Sequence, residues 1–295
     1  MSAPIAWLGD GTGQGRWGTP QTLTLPINDR GLLLADGLFE TLLVEAGKAW
    51  LLEEHLARWQ SSAALLGLPP PPGAATVQPL ITAAIERSGI GTALGSSGAL
   101  RLNWSRGSGA RGIDPPSNGS PSFWLQLSAS KPCFEPVRVI VSPTETRSTT
   151  SLLSRCKSFA YGASIQARRQ ALEAGADDAL LNSSAGGLCC GTSANLLVYR
   201  RGSWITPPLS SGCLPGVMRQ RGLETGLITE SAVQKPDLLT CDAAWLINSL
   251  NCRPISHFHD AKLKNSHWED PETAWRRLLM AGGFKHLKSA ESFPG

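Results

Sequence analysis

The chain lacks the features that would place it in a membrane, on a nucleic acid or in a disulfide-stapled class. Its apolar runs are short, each broken by glycine, glutamate or lysine, and fall below the roughly 20 residues that a membrane helix needs. Residues Met1 to Gly11 have neither the basic start nor the apolar core of a secretory signal. A soluble, cytoplasmic protein is therefore expected. Lysine and arginine form no blocks, and the formal net charge is only +4. That balance suits a small anionic ligand and gives no reason to expect nucleic acid. The cysteines (133, 156, 189, 190, 213, 241 and 252) are odd in number, contain no CxxC and lack the spacing of a disulfide framework, so reduced thiols are expected. His257 and His259 beside Asp260 have metal-ligand character, but two histidines two apart near a loop are ordinary surface residues, and no metal is expected. No internal repeat is visible.

What is present is a globular composition in 295 residues, 41% hydrophobic and 17% charged, enough for one large or two medium cores. The pattern alternates between strand and helix periods. Leu38 to Val44 and Ala49 to Leu52 read as a hairpin around Glu45 to Lys48. Helical spacing runs from Glu53 to Leu66 and again from Val77 to Arg87, and strands follow at Ala99 to Trp104 and Phe123 to Leu127. Residues 114–122 read as a loop. Ser128 to Pro136, with two prolines, reads as a linker. Beyond it, strands are expected near 137–141, 179–182, 195–199 and 244–247, and helices near 158–174, 217–226 and 271–281. The expectation is an α/β (α+β) chain with a smaller domain over 1–127, a linker over 128–136 and a larger domain over 137–295.

Chemistry gathers at a few places. KSFAY (Lys157 to Tyr161) leads into a small-residue helical stripe at Ala160, Ala163, Ala167, Ala171 and Ala174, so Lys157 is expected at a helix entrance. A partly buried amine beside the positive end of a helix is a candidate nucleophile or Schiff-base former. A solvated helix-start lysine is the plain alternative. The Pro-Gly turn of TPPLSSGCLPGVMRQ (Thr206 to Gln220) precedes a helix whose first amides can hold a phosphate. CCGTSANLLVYRRGSW (Cys189 to Trp204) approaches a hairpin turning at Arg200 to Ser203, and Gly191 permits close backbone approach. EEHLARW (Glu53 to Trp59) sets His55 and Arg58 three apart on a helix, with Arg58 able to reach an anion. SRGSGARG (Ser105 to Gly112) offers Arg106 and Arg111 as carboxylate forks on a loop. GDGTGQG (Gly9 to Gly15) follows no apolar strand and precedes no helix, and reads as a flexible turn.

DRGLLLADGLFET (Asp29 to Thr41), EEHLARW, SRGSGARG, KSFAY, CCGTSANLL, LPGVMRQ and NSLNCRPI (Asn248 to Ile255) occur in an order that resembles the class IV, or fold-type IV, pyridoxal phosphate enzymes over about residues 26–280. That family includes branched-chain and D-amino acid aminotransferases and 4-amino-4-deoxychorismate lyases. SRGSGARG, Met218 and the NSL stretch look most like the lyases. The resemblance implies pyridoxal 5′-phosphate as cofactor and Lys157 as the lysine bonded to it. It implies Arg58, Ser249 and the backbone at Val217 and Met218 around the phosphate, Leu214 on one face of the pyridine ring, and Tyr161 near the phenolate. It makes Arg106 and Arg111, with Glu40, the substrate-side candidates. Members of the family are usually homodimers, with loops of one subunit reaching the other's site.

Two positions depart from the family pattern. Met218 replaces a threonine common in the aminotransferases, leaving phosphate contact there to backbone amides. Cys190 stands where the family has a glutamate that keeps the pyridine nitrogen protonated, and it carries no permanent charge. Transamination depends on the ring as an electron sink more than an aromatising elimination does. The resemblance and this departure together imply a lyase making 4-aminobenzoate and pyruvate for folate biosynthesis, with a class IV aminotransferase acting on D- or branched-chain amino acids as the rival. A non-catalytic cofactor-binding relic is a third reading. No role is evident for Cys189 beside Cys190.

Overall fold

Period-two alternation in the first half produces one antiparallel sheet. The structure, a computed structural model, describes residues 3–116, 119–264 and 269–281. Strands β1 (Ile5–Gly9) and β2 (Gly15–Gly18) form a hairpin, and α1 (Arg30–Leu34) leads into β3 (Gly37–Glu45) and β4 (Lys48–Ala49). Helices α2 (Leu52–Leu65) and α3 (Ala74–Ser88) follow, then β5 (Ser97–Ser105) and β6 (Ser122–Ala129). The strand order is β2-β1-β6-β5-β3-β4. Leu38, Leu42, Leu100, Leu102, Leu125 and Leu127 lie on one face and are fully buried in a core shared with α2 and α3. Each such leucine contributes roughly 1.5–3 kcal/mol. The opposite face carries Phe39, Thr41, Arg101, Asn103 and Trp124 in register, Thr41 beside Arg101 and Asn103 between Phe39 and Trp124. That face turns toward the second half.

The second half begins with β7 (Val137–Arg147), α4 (Leu152–Arg155), α5 (Gly162–Glu173), β8 (Asp178–Ser183), β9 (Leu188–Gly191), β10 (Asn195–Arg200) and β11 (Ser203–Thr206). It continues through α6 (Val217–Glu224), β12 (Ile228–Glu230), α7 (Lys235–Thr240), β13 (Ala243–Ile247), β14 (Cys252–Phe258), β15 (Ala261–Lys262) and α8 (Pro271–Met280). The nine strands form a mixed sheet in the order β12-β11-β10-β13-β14-β7-β8-β9, with β15 on β14. An added pairing of Cys190 in β9 with Asn195 in β10 closes part of the sheet on itself. Closure places those two residues side by side. The β10–β11 turn has positive φ at Arg201 and Gly202, as a two-residue hairpin requires, where the sequence had placed it. On α5, Ala167 and Ala171 of the small-residue stripe are fully buried against the sheet.

Several local expectations change. The strand expected at Ala49 to Leu52 is only β4, because Leu52 already opens α2. Strand β6 runs to Ala129, so the first two residues of the expected linker belong to the sheet. GDGTGQG joins β1 to β2, with Gly9 and Gly15 paired across a hairpin; a Cβ on Gly9 would lie 2.1 Å from the Gln14 carbonyl oxygen. His259 accepts from the Val141 N–H through Nε2 at 3.3 Å, joining two neighbouring strands. The seven cysteines all fall among the described residues, and none forms a disulfide. Residues 117–118 of the expected loop, and 282–295 of the expected second domain, lie outside the described residues.

Candidate active site

Lys157 reaches its place by strand addition, not by a helix entrance. Helix α5 starts at Gly162, and residues 157–159 instead run along the open edge of β3, where β4 does not extend. Phe39 N–H donates to the Lys157 carbonyl at 2.9 Å, and Phe159 N–H donates to the Gly37 carbonyl at 3.0 Å. These long-range backbone bonds outcompete the local helical pattern. The half-buried amine Nζ lies 3.2 Å from the Tyr161 hydroxyl and 4.4 Å from the Phe39 ring centre. It opens onto a cavity of about 760 Å³ between the two halves.

At one part of the wall stands Arg58. Its guanidinium forks onto Glu40, with Nε to Oε1 at 2.9 Å and Nη2 to Oε2 at 2.5 Å, and Nη1 donates to the Pro215 carbonyl at 3.0 Å. Glu40 also meets His55 Nδ1 at 2.6 Å, and His55 Nε2 lies 3.1 Å from Ser249 Oγ. Burial would push the Glu40 carboxyl up, yet Arg58 and His55 outweigh it and hold the group down to about 2. Burial pushes His55 below its ordinary range despite the neighbouring carboxylate.

Pro215 and Gly216 introduce α6, whose first amides have no side-chain cap and no intrahelical acceptor. The turn is fixed by Asn195 Nδ2, which donates to the Leu214 carbonyl at 2.9 Å. Only glycine fits at 216, since a Cβ there would lie 1.9 Å from Asn195 Oδ1. Cys190, Leu214, Val217 and Ser249 share the wall with Arg58, Lys157 and Tyr161. Behind Cys190, hydrogen bonds with the Cys190 and Cys213 thiols push the Cys189 thiol up, which keeps it protonated. Cys189 thus stays an uncharged packing residue.

Four expected site residues do not line the cavity. Glu40 lies on the α2 face of β3, opposite Phe39 and Thr41, and both its oxygens are taken by Arg58 and His55. Arg106 is held by Asp36 at 2.8 Å and by the Gly67 and Leu66 carbonyls at the end of α2, because an acceptor-rich helix terminus competes for its donors. Arg111 is exposed on its loop. Met218 points into the core around Trp245 and Trp275, leaving only its backbone at the helix start.

Arg101 lies outside the expected set. It lines the cavity, bonds to Asn103 Oδ1 at 2.7 Å and lies with its guanidinium carbon 3.4 Å from the Phe39 ring centre. Among the described residues it has no carboxylate partner, and burial pushes its guanidinium below the ordinary value. The signal was a charged residue alternating with Leu100 and Leu102 in a strand, which places charge on the second face of a sheet covered on both sides. Phe39, Trp124 and Phe159 supply flat surfaces nearby, with Trp124 and Phe159 centres 5.6 Å apart.

The family model described as amino-transferase class IV matches residues 37–258. The bifunctional aminodeoxychorismate lyase / D-amino acid transaminase of Mycobacterium tuberculosis is 26% identical over 81% of this chain and 86% of that protein. The D-alanine aminotransferase of Bacillus licheniformis is 25% identical over 76% of this chain and 78% of that protein. Among solved structures, a fold IV transaminase from Curtobacterium pusillum superposes with a TM-score of 0.78 and 26% identity, over 94% of this chain and all of that one.

Proposed function

This chain belongs to the class IV amino-transferase family and uses pyridoxal 5′-phosphate, and we propose that within the family it is a lyase converting 4-amino-4-deoxychorismate to 4-aminobenzoate and pyruvate. The observation that carries the reading is Arg101: a guanidinium without a carboxylate partner among the described residues, set among flat aromatic surfaces and opening onto the same cavity as the Lys157 amine. A ring bearing a carboxylate satisfies both its charge and the aromatic walls.

The chain fits the cofactor on its own terms, because an amine, a cationic end and an uncapped helix start meet in one cavity large enough for cofactor and substrate. Arg58, Ser249 and the amides of Val217 and Met218 would hold the phosphate, Leu214 a ring face, and Cys190 the region of the pyridine nitrogen. When bound, the cofactor would supply an electron sink at the substrate nitrogen, which takes the place of the Lys157 amine and leaves that amine free. Lys157 removes the proton from the ring carbon bearing that nitrogen, with Tyr161 holding the amine. The bond from the ring to the enolpyruvyl oxygen breaks and its electron pair leaves on oxygen. Protonation of the released enol at carbon gives pyruvate. Arg101 keeps the ring carboxylate in place while the ring becomes aromatic.

The rival is a transaminase for D- or branched-chain amino acids, the D-amino acid form being the one that the names of the two relatives above allow. Incubation with 4-amino-4-deoxychorismate made in place should release pyruvate and 4-aminobenzoate in equal amounts without any 2-oxo acid acceptor. Turnover that needs an acceptor would instead establish the transaminase. Lys157→Ala should remove both turnover and the visible absorbance of bound cofactor. A wild-type chain with neither property would be a relic.

A further inference from the structure

A buried hydrogen-bond chain ends at the cavity wall and has a movable proton at its centre. Glu40 and His55 are each 1% exposed, so water does not substitute for either partner. The Glu40 carboxylate can only accept, and it therefore fixes a hydrogen on His55 Nδ1, 2.6 Å away. Nε2, 3.1 Å from Ser249 Oγ, is the variable end. In a neutral imidazole, Nε2 is a lone pair and the Ser249 hydroxyl hydrogen turns toward it. Ser249 then shows the cavity only lone pairs, which repel an anion. In an imidazolium, Nε2 donates to Ser249 Oγ and the hydroxyl hydrogen is released toward the cavity.

We infer that His55 is a positioning residue that sets the donor direction of Ser249, so that an anion entering between Arg58, Ser249 and the start of α6 binds with uptake of one proton at His55. The charged groups facing His55 are Glu40 from β3, Arg58 from its own helix and Lys157 from the segment after α4. Burial, Arg58 and Lys157 oppose the imidazolium and Glu40 favours it, with burial the largest influence, so the free site is biased against the imidazolium. An arriving dianion reverses that balance. By linkage, the proton in turn tightens the anion. The inference rests on the anion site and not on the reaction, so it holds for a lyase or a transaminase and stands or fails independently of either.

Sulfate tests it, because it stays a dianion across the range in which histidine titrates. The full chain, freed of pyridoxal phosphate and labelled on histidine, is titrated from pH 5.5 to 8.5 by nuclear magnetic resonance with and without sulfate, and His55 is assigned through His55→Asn. The expected result is a His55 midpoint raised by about one unit, equivalent to roughly tenfold tighter sulfate binding at the acid end. Ser249→Ala should cut that rise severalfold. A midpoint that ignores sulfate overturns the inference, and so does a rise that is undiminished in Ser249→Ala. Should His55→Asn not fold, the slowly exchanging Nδ1 proton held by Glu40 identifies the resonance in the wild-type chain.

Discussion

Arg58 and Arg101 reach the same cavity from opposite faces of one sheet, and their surroundings differ in kind. Arg58 arrives with its charge matched by the Glu40 fork, while Arg101 has an amide oxygen and an aromatic face for company. The matched arginine is part of the folded core and keeps only its outer edge for a ligand. The unmatched one holds a desolvated charge that a ligand can neutralise. One site thus holds one arginine as a permanent fixture and a second whose charge no carboxylate among the described residues matches.

The comparison breaks most severely at Glu40. Glu40→Ala leaves Arg58 and His55 buried without their shared acceptor, and removing one partner of such a pair typically costs about 3–5 kcal/mol. Chemical denaturation should show that loss. Acid should mimic it with a defined sign. The Glu40 carboxyl is lowered from 4.5 to about 2 in the folded chain, so its stabilisation is complete above pH 4.5 and is lost as pH falls toward 2. A Glu40→Gln chain should lack this component of the acid transition.

Arg101→Gln sharpens the contrast from the other side. It should leave folding stability unchanged or slightly higher, since no carboxylate loses a partner. Substrate KM should rise about 10- to 100-fold, the worth of one charged hydrogen bond of roughly 1.5–3 kcal/mol. An unchanged KM would remove Arg101 from substrate recognition. The smallest expected effect is at Cys190, which lines the same cavity. Cys190→Glu should raise any transaminase side activity several-fold by keeping the pyridine nitrogen protonated. Equal partial reactions in both chains would separate Cys190 from the choice of reaction.

Much of this arrangement was legible in the sequence because local rules control it. The α2 and α6 helices, the hairpin turn at Arg201 and Gly202 and the buried stripe of α5 all follow from spacing and turn chemistry. The resemblance to the class IV enzymes, and not spacing alone, pointed to Lys157, Arg58, Tyr161, Cys190, Leu214, Val217 and Ser249, and these meet in one cavity. What local rules could not show was competition at a distance. Residues 157–159 pair with β3 and so do not start a helix, and Arg106 is drawn to the end of α2 rather than to the cavity. Glu40 is instructive in another way. Alternation along β3 already set it opposite Phe39, and the sheet register turned that parity into an address.

The backbone pairing between residues 157–159 and β3 has a mechanical result. The amine belongs to the second half in sequence but is stitched to the first half's sheet at Gly37 and Phe39. The two halves therefore cannot swing apart like a clamshell without dragging the reactive nitrogen along. The seam itself serves as the ruler that sets the depth of the nitrogen in the cavity.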